Sequence, residues 1–208
     1  MVITRLASVQ GRKDDLPNQE LAREIAEKED RESVAIIAEH LFHKDKNIQS
    51  DCIKVLYEIG YLKPVLIADY CSDFLKLLKV KNNRLIWGAM IALSTIALLK
   101  AEQIYEQIDV IYFAIEQGSV ITIDSGIKVL ATVASVKEEY AEALFPFLLE
   151  HLRNCRSKEV GQHAESILLA VNSSNRDRFI EALKSRESSL SSSQLARVKK
   201  IYKPLGNK

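Results

Sequence analysis

Residues 45–59 read DKNIQSDCIKVLYEI, 82–96 read NNRLIWGAMIALSTI, 119–133 read SVITIDSGIKVLATV and 157–171 read SKEVGQHAESILLAV. Aligned on Cys52, Ala89, Gly126 and Ala164, these stretches recur at spacings of 37, 37 and 38 residues. Four residues before each centre stand Ile48, Leu85, Thr122 and Val160. Four after stand Leu56, Leu93, Leu130 and Leu168, and seven after stand Ile59, Ile96, Val133 and Val171. An i, i+4, i+8, i+11 stripe is one face of a helix turned to a core. The small residue at its centre lets a neighbouring helix come close. Seven residues before each centre lie Asp45, Asn82, Ser119 and Ser157. Each has a side chain able to accept a bond from an orphan N–H of a helix start.

The segments between these stretches repeat as well. Ile37, Phe74, Ile111 and Leu148 lie 37 apart, and Leu41, Leu78, Ile115 and Leu152 follow four residues later. One unit is therefore a helix A followed by a helix B. A lone pair cannot bury its apolar faces, whereas stacked pairs can, and the outcome is a solenoid. The expected architecture is an all-α, right-handed α-solenoid of about four helix pairs with terminal caps. Helices are predicted over 18–29, 31–43, 46–61, 64–79, 83–99, 101–117, 120–136, 138–154, 158–171, 174–186 and 191–203. Residues 1–16 read as a flexible arm and 17–205 as a single domain. Within that domain 17–29 caps the array, the repeats cover about 30–62, 63–100, 101–136 and 137–173, and 174–205 forms a degenerate basic pair.

Composition narrows the function classes. Lys plus Arg is 29 against 28 for Asp plus Glu, a net charge of +1, which disfavours a generic polyanion binder. The charge is uneven: residues 174–208 carry nine Lys/Arg and three Asp/Glu, a net of +6, and the remainder carries −5. Cys52, Cys71 and Cys155 each fall in apolar helical patterns, as reduced thiols of a cytosolic protein do. The most apolar run, Leu85 to Leu99, is shorter than the roughly 20 residues of a membrane span. The first residues lack the apolar stretch of a leader peptide. The expected location is cytoplasmic, with no membrane contact.

The cap, apolar and small positions resemble those of HEAT repeats of the HEAT/armadillo superfamily, whose helix B begins with Asp, then Val-Arg, then Ala. Here the corresponding residues are Asp45, Ile48-Gln49 and Cys52; Asn82, Leu85-Ile86 and Ala89; Ser119, Thr122-Ile123 and Gly126; and Ser157, Val160-Gly161 and Ala164. Pro146 inside the fourth helix A also suits that family. The Arg position holds Gln49, Ile86, Ile123 and Gly161, so the usual Asp–Arg ladder is missing. The resemblance implies a non-catalytic scaffold or interaction module. It would offer a concave surface of B helices to a protein or peptide partner, and self-association is open to such a surface. DNA-alkylation-repair glycosylases resemble the same class and set the alternative, a nucleic-acid-binding protein. They rely on several Trp, an acid and a basic groove; this chain has one Trp, and Ile91 stands one turn after it.

The second helix B is apolar where its neighbours are polar. It carries Trp87, Ile91 and Leu98, against Ser50, Lys54 and Tyr61 in the first repeat and Asp124, Lys128 and Ser135 in the third. Trp87, Ile91 and Leu98 are therefore the expected partner-binding patch, framed by Lys54, Tyr57, Tyr61 and Lys128. A helix enclosed on every side gives the same pattern. Lys46, Lys79, Lys81, Arg84, Arg156 and Lys158 lie at turns between helices A and B. They form either a phosphate-binding edge or simple complements to helix dipoles. His40 and His43 lack the three or four converging ligands that zinc requires, and Glu150-His151 lacks a spaced partner. No metal, cofactor or catalytic residue is expected: the run Ser188 to Ser193 has no nucleophile elbow, and there is no phosphate-binding loop.

Overall fold

A computed structural model describes residues 2–206. Among the described residues there are twelve α-helices linked by 3-10 turns, and no strand. They are α1 (Leu16–Lys28), α2 (Arg31–Glu39), α3 (Lys46–Leu62), α4 (Cys71–Leu77), α5 (Asn83–Ile96), α6 (Ala101–Tyr105), α7 (Ile108–Gln117), α8 (Val120–Ala134), α9 (Glu138–Asn154), α10 (Ser157–Ile167), α11 (Arg176–Lys184) and α12 (Ser192–Tyr202). The fold is an all-α solenoid of helical repeats, with α3, α5, α8 and α10 as its B helices. Where the sequence reads as one domain, packing divides the chain into two compact units, one up to Gly126 and one from Ile127.

The B helices begin where the cap residues predict, with one exception. Asp45 Oδ1 accepts from the Asn47 amide at 2.8 Å and Asn82 Oδ1 from the Arg84 amide at 3.0 Å. Ser119 Oγ stands at 3.5 Å from the Thr122 amide, so its cap is loose. Ser157 is not a cap. Arg156 holds that place, with no side-chain bond to the helix start, and its guanidinium instead pairs with Glu159 in the first turn. The cap position thus keeps a 37-residue step from Ser119, and the extra residue of the 38-residue step falls inside α10, between Arg156 and Ala164.

Two of the predicted A helices are broken. The stretch 64–79 opens at Pro64 with two 3-10 turns, Pro64–Leu66 and Ala68–Tyr70, before α4. The stretch 101–117 splits into α6 and α7 at Glu106 and Gln107. The third repeat therefore has three α-helices, α6, α7 and α8, while the second has two preceded by 3-10 turns. Pro146, in contrast, does not break α9. Tyr140, Leu144, Phe145, Leu148, Leu149 and Leu152 are all buried along that helix. Burial on that scale outweighs the one backbone bond a proline removes.

The central positions of the B helices are closed to solvent: Cys52, Ala89 and Ala164 are 0% exposed. At Gly126 a Cβ would stand 2.5 Å from Ile115 Cγ1, so nothing larger than hydrogen fits without displacing helix A. Burial pushes the Cys52 and Cys71 thiols up to about 12 and about 11, which makes them packing groups rather than nucleophiles. No helix among the described residues is long and apolar enough to cross a membrane.

The N-terminal segment is not a flexible arm. Val2–Arg5 form a 3-10 turn, and Leu6 and Ala7 are buried at 0% and 3% exposure. Asp51, buried on α3, accepts from the Ser8 amide at 2.7 Å and from Asn18 Nδ2 at 2.8 Å. Asn18 Oδ1 in turn accepts from the Ala7 amide at 3.0 Å. A buried carboxylate and carboxamide need these partners, so they hold the segment against α1 and α3. Leu6→Ala should therefore cost about 2–5 kcal/mol in a urea unfolding measurement. A loose arm would leave the transition where it is.

Candidate partner-binding surface

α3 and α5 are the B helices of the first two repeats, and they pack directly together. Two glycines set how closely. A Cβ on Gly88 would stand 2.8 Å from Ile53 Cγ1, and one on Gly60 would overlap Thr95 Oγ1. The close approach brings the rings of Tyr57 and Trp87 to 6.0 Å between centroids, tilted by 54°. Tyr61, one turn beyond Tyr57, meets it edge-on at 6.1 Å. A strip of three rings thus crosses two helices. Tyr57 at its centre is buried, Trp87 is half-buried and Tyr61 is 55% exposed. Each such ring pair is worth about 0.5–1.5 kcal/mol beyond the area it hides.

Lys54 belongs beneath this strip rather than at its rim. Its side chain is only 9% exposed, with Nζ 2.6 Å from Glu58 Oε1 and 3.9 Å from Asp15 Oδ2. The ammonium also stands 4.8 Å from the Tyr57 ring centroid. Burial lowers the affinity of Lys54 for its proton, but the bonds to Glu58 and Tyr57 outweigh that, and it is held above its ordinary value. Burial likewise raises the Tyr57 and Tyr61 phenols, so all three groups keep their protons at neutral pH.

The patch expected around Trp87 is only partly assembled. Ile91 is 8% exposed and belongs to the core, because α5 is flanked by α3 and α4. For Ile91 the enclosed-helix account of its apolar surroundings is the right one. Leu98 is 67% exposed but lies past the end of α5, in the turn where the Leu99 amide donates to Ile96 O. Its repeat counterpart is Tyr61, and Leu99 matches Leu62; Leu99 and Leu62 are 52% and 54% exposed. The ends of α3 and α5 therefore each show two apolar residues to solvent. Lys128 is exposed on α8, in the second unit.

The expected basic edge is mixed. Lys46, Lys79, Lys81 and Lys158 are exposed, whereas Arg84 pairs with Asp15 at 3.2 Å and Arg156 with Glu159. Lys46 and Lys81 border a cleft of about 530 Å³ floored by Leu41, Leu77 and Leu85, with Phe42 51% exposed beside it. An apolar floor does not suit phosphate.

One cluster escaped the sequence reading. His151, Cys155 and His163 bring their ligand atoms within 4.8 Å of one another in the second unit. The first two are spaced i, i+4 across the end of α9, and the third lies on the next helix. Their spacing was legible, but their meeting required knowing how the turn folds.

No protein-family model matches the chain, and no curated sequence does. Solved structures do. A designed armadillo repeat protein in complex with the peptide (KR)4 is 15% identical, with 96% of each chain covered and a TM-score of 0.67. An engineered protein is 19% identical over 96% of each chain, with a TM-score of 0.61. The karyopherin Kap121p bound to the SUMO protease Ulp1p is 13% identical, with a TM-score of 0.67; the match takes in 97% of this chain and 22% of that one. The chain thus has the helical-repeat fold of the HEAT/armadillo class.

The strip and the core beside it should respond differently to substitution. Ile91→Asp places a carboxylate among apolar side chains and should remove at least about 3 kcal/mol of stability. Trp87→Ala should cost less than the 3–5 kcal/mol or so of a fully buried aromatic, and Tyr61→Ala within about 0.5–1 kcal/mol. Chemical denaturation of the three variants, compared with the unaltered chain, reads out the order.

Proposed function

We propose that the chain is a non-catalytic protein-interaction module that presents the B-helix surface of its first unit to a protein or peptide partner. The single observation that carries this reading is the Tyr61–Tyr57–Trp87 strip, closed at its centre and open at both ends. Rigid, pre-positioned rings lose little conformational entropy on contact, and aromatic anchors dominate the energetics of many interfaces. Lys54 then serves as a buried support that fixes Tyr57 from below, through the ring contact and Glu58. The exposed pairs Tyr61-Leu62 and Leu98-Leu99 extend the apolar surface to the helix ends. The peptide named in the designed armadillo complex and the protease named in the karyopherin complex are support by analogy of fold.

A nuclease-treated pull-down from source lysate tests the proposal. Wild type is compared with a Tyr61→Ala/Trp87→Ala chain verified as folded by circular dichroism. A protein held by wild type and weakened about 10-fold or more by the double variant supports the reading, since truncating an interface anchor commonly costs at least about 1.4 kcal/mol. Identical captured sets overturn this surface as the site. Capture that appears only when the nuclease is omitted, and that falls with added salt, overturns the protein-partner reading in favour of nucleic acid.

A further inference from the structure

The A–B turn of the fourth repeat departs from its counterparts in two ways. Its helix start has no side-chain cap, as described above. It also brings two imidazoles together where the second and third repeats place apolar or small residues. At 37-residue steps His151 corresponds to Ala114, Leu77 and His40; aligned on the centres of the B helices, His163 corresponds to Ser125, Gly88 and Asp51. His163 is 0% exposed, and it carries a polar ring into a core where Ser125 and Gly88, two of its three equivalents, are small. Burying such a group is costly unless its nitrogens are engaged.

They are engaged by each other. His151 Nε2 and His163 Nδ1 stand 2.9 Å apart, with ring centroids at 4.8 Å. One proton lies between two nitrogens whose remaining lone pair points to the same place. The half-buried Cys155 puts its sulfur within 4.8 Å of both. Two imidazole nitrogens bound to one tetrahedral zinc at about 2.0–2.1 Å would be roughly 3.3 Å apart. For both to bind one metal, the donor ring takes its other neutral tautomer, its proton moving to the opposite ring nitrogen through water, and the pair opens by a few tenths of an ångström.

The turn that carries Cys155 is held in place. The Arg186 guanidinium donates to Leu152 O, Arg153 O and Cys155 O, each at 2.8 Å, and so fixes the turn that presents the sulfur. Burial and the Glu159 charge hold the Cys155 thiol above its ordinary value, and the nearby Arg186 charge offsets them only in part. A bound metal would overcome that bias toward the thiol, because a coordinated thiol is deprotonated outright. Glu159, held by Arg156 in the next turn, supplies outer negative charge beside His163.

We infer that His151, Cys155 and His163 form a binding site for a thiophilic divalent metal, zinc by chemistry, that clips α9 to α10. Two imidazoles and one sulfur exclude the hard cations, which prefer oxygen. Copper sites of the same donor set usually add a weak axial methionine sulfur, and the chain from Ile127 onward contains no methionine. Three protein ligands leave a fourth position for water, which the exposure of His151 admits. The clip does for the fourth repeat what Asp45 and Asn82 do for the first two: it fixes where helix B starts.

The test uses the full chain, reduced and stripped with a chelator, then titrated with zinc alone by calorimetry and with cobalt alone by absorption. One zinc per chain is expected. The cobalt form should show a sulfur-to-metal charge-transfer band and intense tetrahedral ligand-field bands. Zinc at about a hundredfold excess over Kd should raise the Tm by roughly 5–10 °C. Cys155→Ser should abolish the charge-transfer band, and His151→Gln should remove the zinc-dependent Tm shift. Both replace half-buried residues, so the folded state is checked by their metal-free Tm before titration. No zinc uptake overturns the inference. So does uptake that persists in both variants with an unchanged cobalt spectrum, since the ion would then sit elsewhere.

Discussion

Close approach of helices through small residues is the constraint on which the rest of the first unit depends. Gly88 faces Ile53, Gly60 faces Thr95, and Gly126 faces Ile115, each so tightly that a methyl group has no room. Helices packed at that distance bury whole faces, and only then does a short pair of helices hide enough apolar surface to hold its shape. The same approach determines the surface. Tyr57 and Trp87 come from different helices and meet only because α3 and α5 lie so near one another. The core and the candidate contact strip are two faces of one packing decision.

The helix-pair architecture was legible because its signal is repeated. An apolar stripe read once is ambiguous, but four stripes in register at 37 or 38 residues leave little else that the chain can form. The same averaging explains what was missed. Features that belong to one repeat alone have no second instance to support them. The break at Gln107, the start of α10 beyond Arg156 and the ordered N-terminal segment are all of this kind. Leu6 and Ala7 lie in a short mixed segment with no repeat counterpart. Their burial depends on Asn18 and Asp51, which lie 11 and 43 residues away from Ala7 and Ser8 respectively.

Side-chain burial was read least well from position alone. Lys54 and Lys128 occupy the same place in the repeat, yet one is enclosed and the other exposed. The difference lies in non-local partners. Lys54 has Glu58 a turn away and Asp15 from the N-terminal segment, two carboxylates that make burial of an ammonium tolerable. Ile91 shows the converse. Its apolar surroundings are legible in the sequence but their exposure is not, because periodicity cannot tell a helix with an exposed apolar face from one covered on that face.

Departures from the repeat pattern are therefore where function is best sought. A repeat position needs only to pack, so residues there are interchangeable within limits of volume. A residue that packs worse than its equivalents must be retained for another reason or tolerated at a cost. Trp87 replaces Ser50 and Asp124 and spends part of its ring on solvent. His163 replaces Gly88 and Ser125 and carries two nitrogens into the core. One departure faces outward, where a large half-covered ring suits a partner. The other faces inward, where converging nitrogen and sulfur atoms suit an ion. The framework is the same in both cases, and the chemistry lies in the two places where the repeat does not repeat.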